Sequence, residues 1–170
     1  DRILFRWLGQ RTNAKKAFVF SAKENADRLE KYINTKRDII KVLPAIAINK
    51  EDFAVECKAN DKTRPFTMIY AGRALDWKGL HVFMMALAKI IEHLSNIKVL
   101  LIGIRDEKER NMVGEWKKSL ELENCVELID FMPRNELIKR LVDANLFVYP
   151  AFRDSGSMAV LEACALGCPS

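Results

Sequence analysis

Histidine is nearly missing from this chain, and cysteine is sparse and shows no pairing pattern. The 170 residues hold two histidines, His81 and His93, twelve positions apart, and four cysteines, Cys57, Cys125, Cys164 and Cys168, with no Cys-x-x-Cys pair. Structural zinc needs clustered thiolate and imidazole ligands, so no metal is expected, and the two imidazoles are read as surface or helix-packing residues. Three of the cysteines lie in apolar stretches where a thiol acts as a small hydrophobe, which fits a reduced, cytoplasmic compartment. Also missing are an apolar run of membrane-spanning length, the features of a secretory leader in residues 1–20, internal repeats and low-complexity tracts. Charge of one sign is not in large excess. With 28 basic against 23 acidic residues, well mixed, the net charge of +5 suits a phosphate-bearing ligand but makes no nucleic-acid footprint.

What the chain does have is alternation. Its hydrophobic content of 49% allows one substantial core. Strands are predicted at 17–20, 39–43, 66–71, 98–102, 126–128 and 146–149, and helices at 23–32, 80–93, 107–122, 135–142 and 158–166. Strand following helix in this way predicts an α/β fold, a doubly wound parallel sheet covered on both faces. Residues 52–64 are charged and irregular and end at Pro65, which reads as a linker or domain entry.

Glu162 is the most informative single residue. It is the only charge in Met158-Ala159-Val160-Leu161-Glu162-Ala163-Cys164-Ala165-Leu166, a run of helix formers that follows Asp154-Ser155-Gly156-Ser157 and stops at Gly167-Cys168-Pro169. A carboxylate in an apolar helix requires donors, and no Lys or Arg lies within a turn of it to supply them. A distant arginine or a ligand must do so. A ribose diol offers two hydroxyls to one carboxylate, and the helix start at Gly156, Ser157 and Met158 offers backbone N–H groups to a phosphate. Asp154, with seven residues between it and Glu162, adds a second carboxylate. Its plain alternative is a turn or capping role.

Residues 149–169, Tyr-Pro-Ala-Phe-Arg-Asp-Ser-Gly-Ser-Met-Ala-Val-Leu-Glu-Ala-Cys-Ala-Leu-Gly-Cys-Pro, resemble the donor-site signature of retaining glycosyltransferases of family 4, the glycogen-synthase-like and mannosyltransferase-like enzymes of GT-B fold. Phe66-Thr67-Met68-Ile69-Tyr70-Ala71-Gly72-Arg73 followed by Trp77-Lys78-Gly79 is similar to that family's strand, Gly-Arg turn and Lys-Gly helix entry. Between them, 98–103, 126–128 and Phe131-Met132-Pro133 match its later strands and turns in order. The signature has two acidic residues, usually both Glu, and the first is Asp154 here. Gly103 is followed by Ile104-Arg105-Asp106 where the family often has Gly-Asp-Gly, and Asp130 stands where a Gly is usual.

The resemblance implies that Arg73 and Lys78 are the catalytic cations that hold the departing diphosphate, and that Gly72, Asp154, Gly156, Ser157, Met158 and Glu162 bind the donor. It implies transfer of a hexosyl group from a nucleoside diphosphate sugar to a glycan or lipid-linked acceptor, with retention, without a cofactor and without a metal. Arg73 taken alone reads as one half of a surface ion pair with Asp76. Lys78 sits at a helix start, where a cation opposes the dipole, and that mismatch favours a ligand role.

The expected layout is the tail of an acceptor-side domain at 1–44, a hinge at 45–65 and a partial donor-binding domain at 66–170. The chain is accordingly expected to be a fragment, inactive by itself. Residues 1–16, with Ile3, Leu4, Trp7 and Leu8 among Arg2, Arg6, Arg11, Lys15 and Lys16, read equally as a peripheral contact with the inner membrane surface or as a helix that packs on the missing domain. Two other functions stay open, a sugar-nucleotide epimerase of GT-B architecture and a non-enzymatic doubly wound interaction domain.

Overall fold

The computed structural model describes residues 17–20, 23–31, 39–42, 63–94, 96–154 and 157–170, and the chain divides into two compact units, Asp1–Ala47 and Ile48–Ser170. In the first, strand β1 (Ala17–Phe20) pairs in parallel with β2 (Ile39–Val42), in the register Ala17↔Ile39. Helix α1 (Lys23–Glu30) connects them and buries Ala26 and Leu29. Parallel neighbours cannot be joined by a tight turn, so a crossover helix is the expected link. The expectations for residues 1–16, for the hinge around 45–62 and for Cys57 fall outside the described residues.

The second unit carries β3 (Phe66–Ala71), α2 (Leu80–Ile91), β4 (Ile97–Ile102), α3 (Glu107–Ser119), β5 (Val126–Ile129), α4 (Arg134–Asp143), β6 (Leu146–Phe147) and α5 (Met158–Ala165). Its four strands are all parallel and lie in the order β5-β4-β3-β6. Side chains alternate across the strands. Met68 and Tyr70 of β3 with Ile97, Val99 and Leu101 of β4 pack on Leu80, Met84 and Leu87 of α2 and Val113 of α3. Ile69, Leu100 and Ile102 pack on the other face with Ile138 and Leu141 of α4 and Ala163 of α5. Period-2 alternation in which both phases are apolar is the mark of a sheet covered on both faces. The doubly wound α/β fold expected from the sequence is the fold observed.

Helix α3 stops at Ser119, three residues short of the predicted end. Glu121 takes a left-handed turn, with φ of 54°, and Leu122 folds back fully buried into the core. His81 packs beside Trp116 and Phe152, with ring centroids 6.1 and 5.9 Å away, in keeping with a packing role. Cys168 is buried and Cys125 half-buried, but Cys164 is exposed, because it falls on the outer face of α5; its apolar neighbours in sequence point elsewhere.

The chain order explains where a ligand would sit. From β3 the chain winds outward to β4 and β5, then returns to place β6 on the opposite side of β3. The reversal leaves a crevice beyond the carboxyl ends of β3 and β6, the place where open α/β sheets bind ligands. The loop after β3 holds Gly72, Arg73 and Lys78, and the loop after β6 holds Asp154.

Candidate functional site

Arg73 leaves the sheet at the end of β3 and is caught by a residue from α3. Its Nε and Nη2 donate to Glu109 Oε1 at 2.9 and 2.5 Å, while the Ala74 N–H donates to Glu109 Oε2 at 2.8 Å. The main chain is held as well, since the Tyr70 hydroxyl donates to the Arg73 carbonyl at 2.7 Å. Burial, reinforced by the nearby Glu109 charge, pushes the Tyr70 phenol up in pKa, which keeps it a neutral donor. The plain alternative for Arg73, a surface ion pair with Asp76, gives way to a pair with the buried Glu109. Arg73, Gly72, Gly103, Arg105 and Asp106 line a cavity of about 550 Å³. Gly103, with φ of 95°, has its Cα side turned to the Gly72 backbone, and an added Cβ would lie 3.5 Å from it.

Lys78 ends a short 3₁₀ turn, Asp76–Lys78, and precedes α2. Its Nζ donates to Asp154 Oδ2 at 2.5 Å and to the Tyr149 hydroxyl at 2.9 Å, and it stands 5.2 Å from the centre of the Tyr149 ring. Asp154 therefore offsets the unfavourable placing of a cation at a helix start. Gly79 makes this meeting possible: its φ is 67°, and a Cβ there would come within 2.2 Å of the Pro150 carbonyl oxygen. The Phe152 and Arg153 N–H groups bond to the Trp77 carbonyl at 2.9 and 3.4 Å, which docks the loop after β6 on the 3₁₀ turn.

Glu162 is 7% exposed and is not alone. Arg134, the first residue of α4, donates to Glu162 Oε1 from Nε and Nη2, both at 2.8 Å. Of the two sources of donors that the sequence left open, a distant arginine is present. It uses only one oxygen. Among the described residues none donates to Oε2. Ser157 caps α5, its hydroxyl accepting from the Val160 N–H at 3.4 Å, and Met158 begins the helix. Gly156 lies outside the described residues.

The match to the family model of glycosyl transferases group 1 spans residues 52–170. The chain belongs to that family. A candidate colanic acid biosynthesis glycosyltransferase of Escherichia coli (strain K12), WcaL, is 30% identical over 113 residues, 62% of this chain and 27% of that protein. The chain thus spans about a quarter of the length of that relative. Among solved structures, sucrose-phosphate synthase from Thermosynechococcus elongatus superposes with a TM-score of 0.77 at 18% identity, covering 99% of this chain and 42% of the synthase. The pneumococcal O-GlcNAc transferase GtfA, solved with UDP and GlcNAc, does so at 0.67 and 14% identity, covering 90% and 29%. At such identities the likeness is one of fold, and that fold is the Rossmann-like α/β half found in GT-B glycosyltransferases.

Within this group 1 chain, sequence reasoning did not find Glu109, Arg134 and Tyr149. Glu109 did carry a signal. It lies in the first turn of α3 on the same helical face as Val113, so a charged residue falls on the buried stripe. Arg134, the first residue of α4, carried the signal that was read for Lys78, a cation set against the helix dipole, but nothing in the sequence tied it to Glu162.

Proposed function

We propose that the group 1 unit binds a nucleoside diphosphate sugar and that the longer protein transfers its hexosyl group to a glycan or lipid-linked acceptor with retention, as in family 4. The observation that carries this is the pairing of Lys78 with Asp154 at the switch point of a parallel sheet, beside an arginine fixed at the end of the neighbouring strand. Arg73 and Lys78 would stabilise the charge that develops on the leaving diphosphate, helped by the N–H groups at Gly156, Ser157 and Met158. Gly72 would admit the phosphates close to the backbone. Glu162 Oε2 would accept from the ribose, and Asp154 would turn to the sugar once the diphosphate takes over Lys78. The acceptor side belongs to residues 1–44 and to sequence outside the chain, with residues 45–65 as the hinge.

Fixed cations replace a metal in this reading. Calorimetric titration with UDP, GDP and ADP is expected to give the same affinity with EDTA as without it. Affinity that collapses on chelation and returns with magnesium or manganese would reassign Asp154 as a metal ligand. The 170-residue chain is expected to bind the nucleotide weakly and to transfer no sugar, because in-line attack needs an acceptor hydroxyl held by the partner domain. Labelled donors incubated with glycan acceptors check this. Acceptor-dependent turnover by the chain alone would show the active site to be misplaced, and inversion in the product of the longer protein would remove it from family 4.

A further inference from the structure

We infer that Glu109 is a positioning residue for the donor diphosphate: it selects which edge of the Arg73 guanidinium faces the ligand. The inference rests on the donor-site reading above and deepens it. Glu109 is 7% exposed, and its carboxylate accepts three hydrogen bonds from one residue pair, two from Arg73 Nε and Nη2 and one from the Ala74 N–H. The guanidinium is planar and rigid, so tying down the Nε/Nη2 edge aims the opposite Nη1 edge outward. Arg73 remains 60% exposed in its side chain and lines the cavity with Gly72 and Gly103. The peptide bond after Arg73 is clamped at both its polar groups, its carbonyl by the Tyr70 hydroxyl and the Ala74 N–H by Glu109 Oε2, and with the guanidinium tied to Glu109 Oε1 much of the ordering of a long side chain precedes the ligand. The carboxylate itself is held by the fold: it sits in the first turn of α3, where the dipole favours an anion, and its own N–H is capped by Asp106.

The sign of the effect separates positioning from simple electrostatics. Glu109 carries a negative charge next to the proposed diphosphate site, and removing that charge alone would strengthen the binding of an anion. Positioning predicts the opposite. Glu109→Gln keeps the shape but sets an amide against the Ala74 N–H and weakens the hold on the guanidinium. It is expected to weaken UDP or GDP binding about tenfold, the worth of one charge-assisted hydrogen bond. Affinity for the nucleoside without phosphates is expected to stay unchanged.

The experiment is calorimetric titration of the wild-type chain, Glu109→Gln, Glu109→Asp, Arg73→Ala and the Arg73→Ala/Glu109→Gln double variant. Circular dichroism establishes that each is folded, and Glu109→Asp, which retains the charge one methylene further back, carries the test if the Gln variant is not folded. In the Arg73→Ala background the Gln substitution is expected to cause no further loss of affinity and to leave it equal or tighter, because the positioning effect needs Arg73 and only the removal of a negative charge remains. Equal or tighter diphosphate binding by folded Glu109→Gln would overturn the inference and leave the donor reading standing. Absence of binding of UDP, GDP and ADP by the wild-type chain would overturn both.

Discussion

Gly79→Ala is expected to cost about 3 kcal/mol of stability and to lower the melting temperature by roughly 6–12 °C. Two costs coincide at this residue. A φ of 67° is strained for any residue with a Cβ, and the added methyl would stand 2.2 Å from the Pro150 carbonyl oxygen, an atom of backbone that no rotamer change can move aside. Relief requires the loop after β6 to lift from the 3₁₀ turn. The same loop carries Tyr149 and Asp154, whose bonds to Lys78 would lengthen, and Phe152 and Arg153, whose N–H groups bond to Trp77. Nucleotide affinity is therefore expected to fall along with stability.

Gly114, inside α3, supplies the control of opposite sign. A Cβ there meets nothing within 4 Å, and glycine in a helix interior is costly, so Gly114→Ala is expected to gain about 0.5–1 kcal/mol. Thermal melts of the two variants side by side make the comparison. A Gly79→Ala protein that melts with the wild type would mean that the loop does not rest on Gly79, and the closure of the site around Lys78 would lose its basis.

The contrast between these glycines shows what was legible in the sequence. The Lys78-Gly79 pair stood out by resemblance, but that Gly79 faces Pro150 is a fact of tertiary placement. Alternation of strands and helices along the chain gave the parallel, doubly wound sheet, and the apolar residues in both phases of β3 and β4 are what let helices cover both its faces. Ends were harder: α3 stops at Ser119, Glu121 turns left-handed and Leu122 is buried in the core, a tertiary contact that the residues around Ser119 do not record. The ion pairs were hardest. Glu109 reaches Arg73 across 36 positions, Arg134 reaches Glu162 across 28, and Asp154 reaches Lys78 across 76. The sequence could announce that Glu162 needs a donor, since that follows from burial. It could not name Arg134, since any of the chain's arginines would have met the same need.

Glu162→Gln is expected to weaken nucleoside diphosphate binding about tenfold, the cost of replacing a charged acceptor by a neutral one, while taking only about 1 kcal/mol from the fold. Arg134→Met is expected to do the reverse. It leaves a buried carboxylate without its two donors, at a cost of about 1–3 kcal/mol, kept to the lower part of that range because the Arg134 side chain is 48% exposed and water can replace part of what is lost. In the double variant neither charge is stranded, so the two stability losses should not add; a coupling of about 0.5–3 kcal/mol is the range for contacting groups. Stability alone would not distinguish a ligand-binding carboxylate from a purely structural ion pair. The hydroxyls of the ligand do. Oε2 is the oxygen that Arg134 leaves unused, and a ribose would donate to it, so the wild-type chain should bind 2′-deoxy-UDP more weakly than UDP. Glu162→Gln should be nearly indifferent to the missing hydroxyl. Calorimetry with the two nucleotides against both single variants and the double variant completes the cycle. If the wild type and Glu162→Gln discriminate equally between UDP and its deoxy form, Glu162 does not hold the ribose, and its carboxylate serves the α4–α5 pair alone.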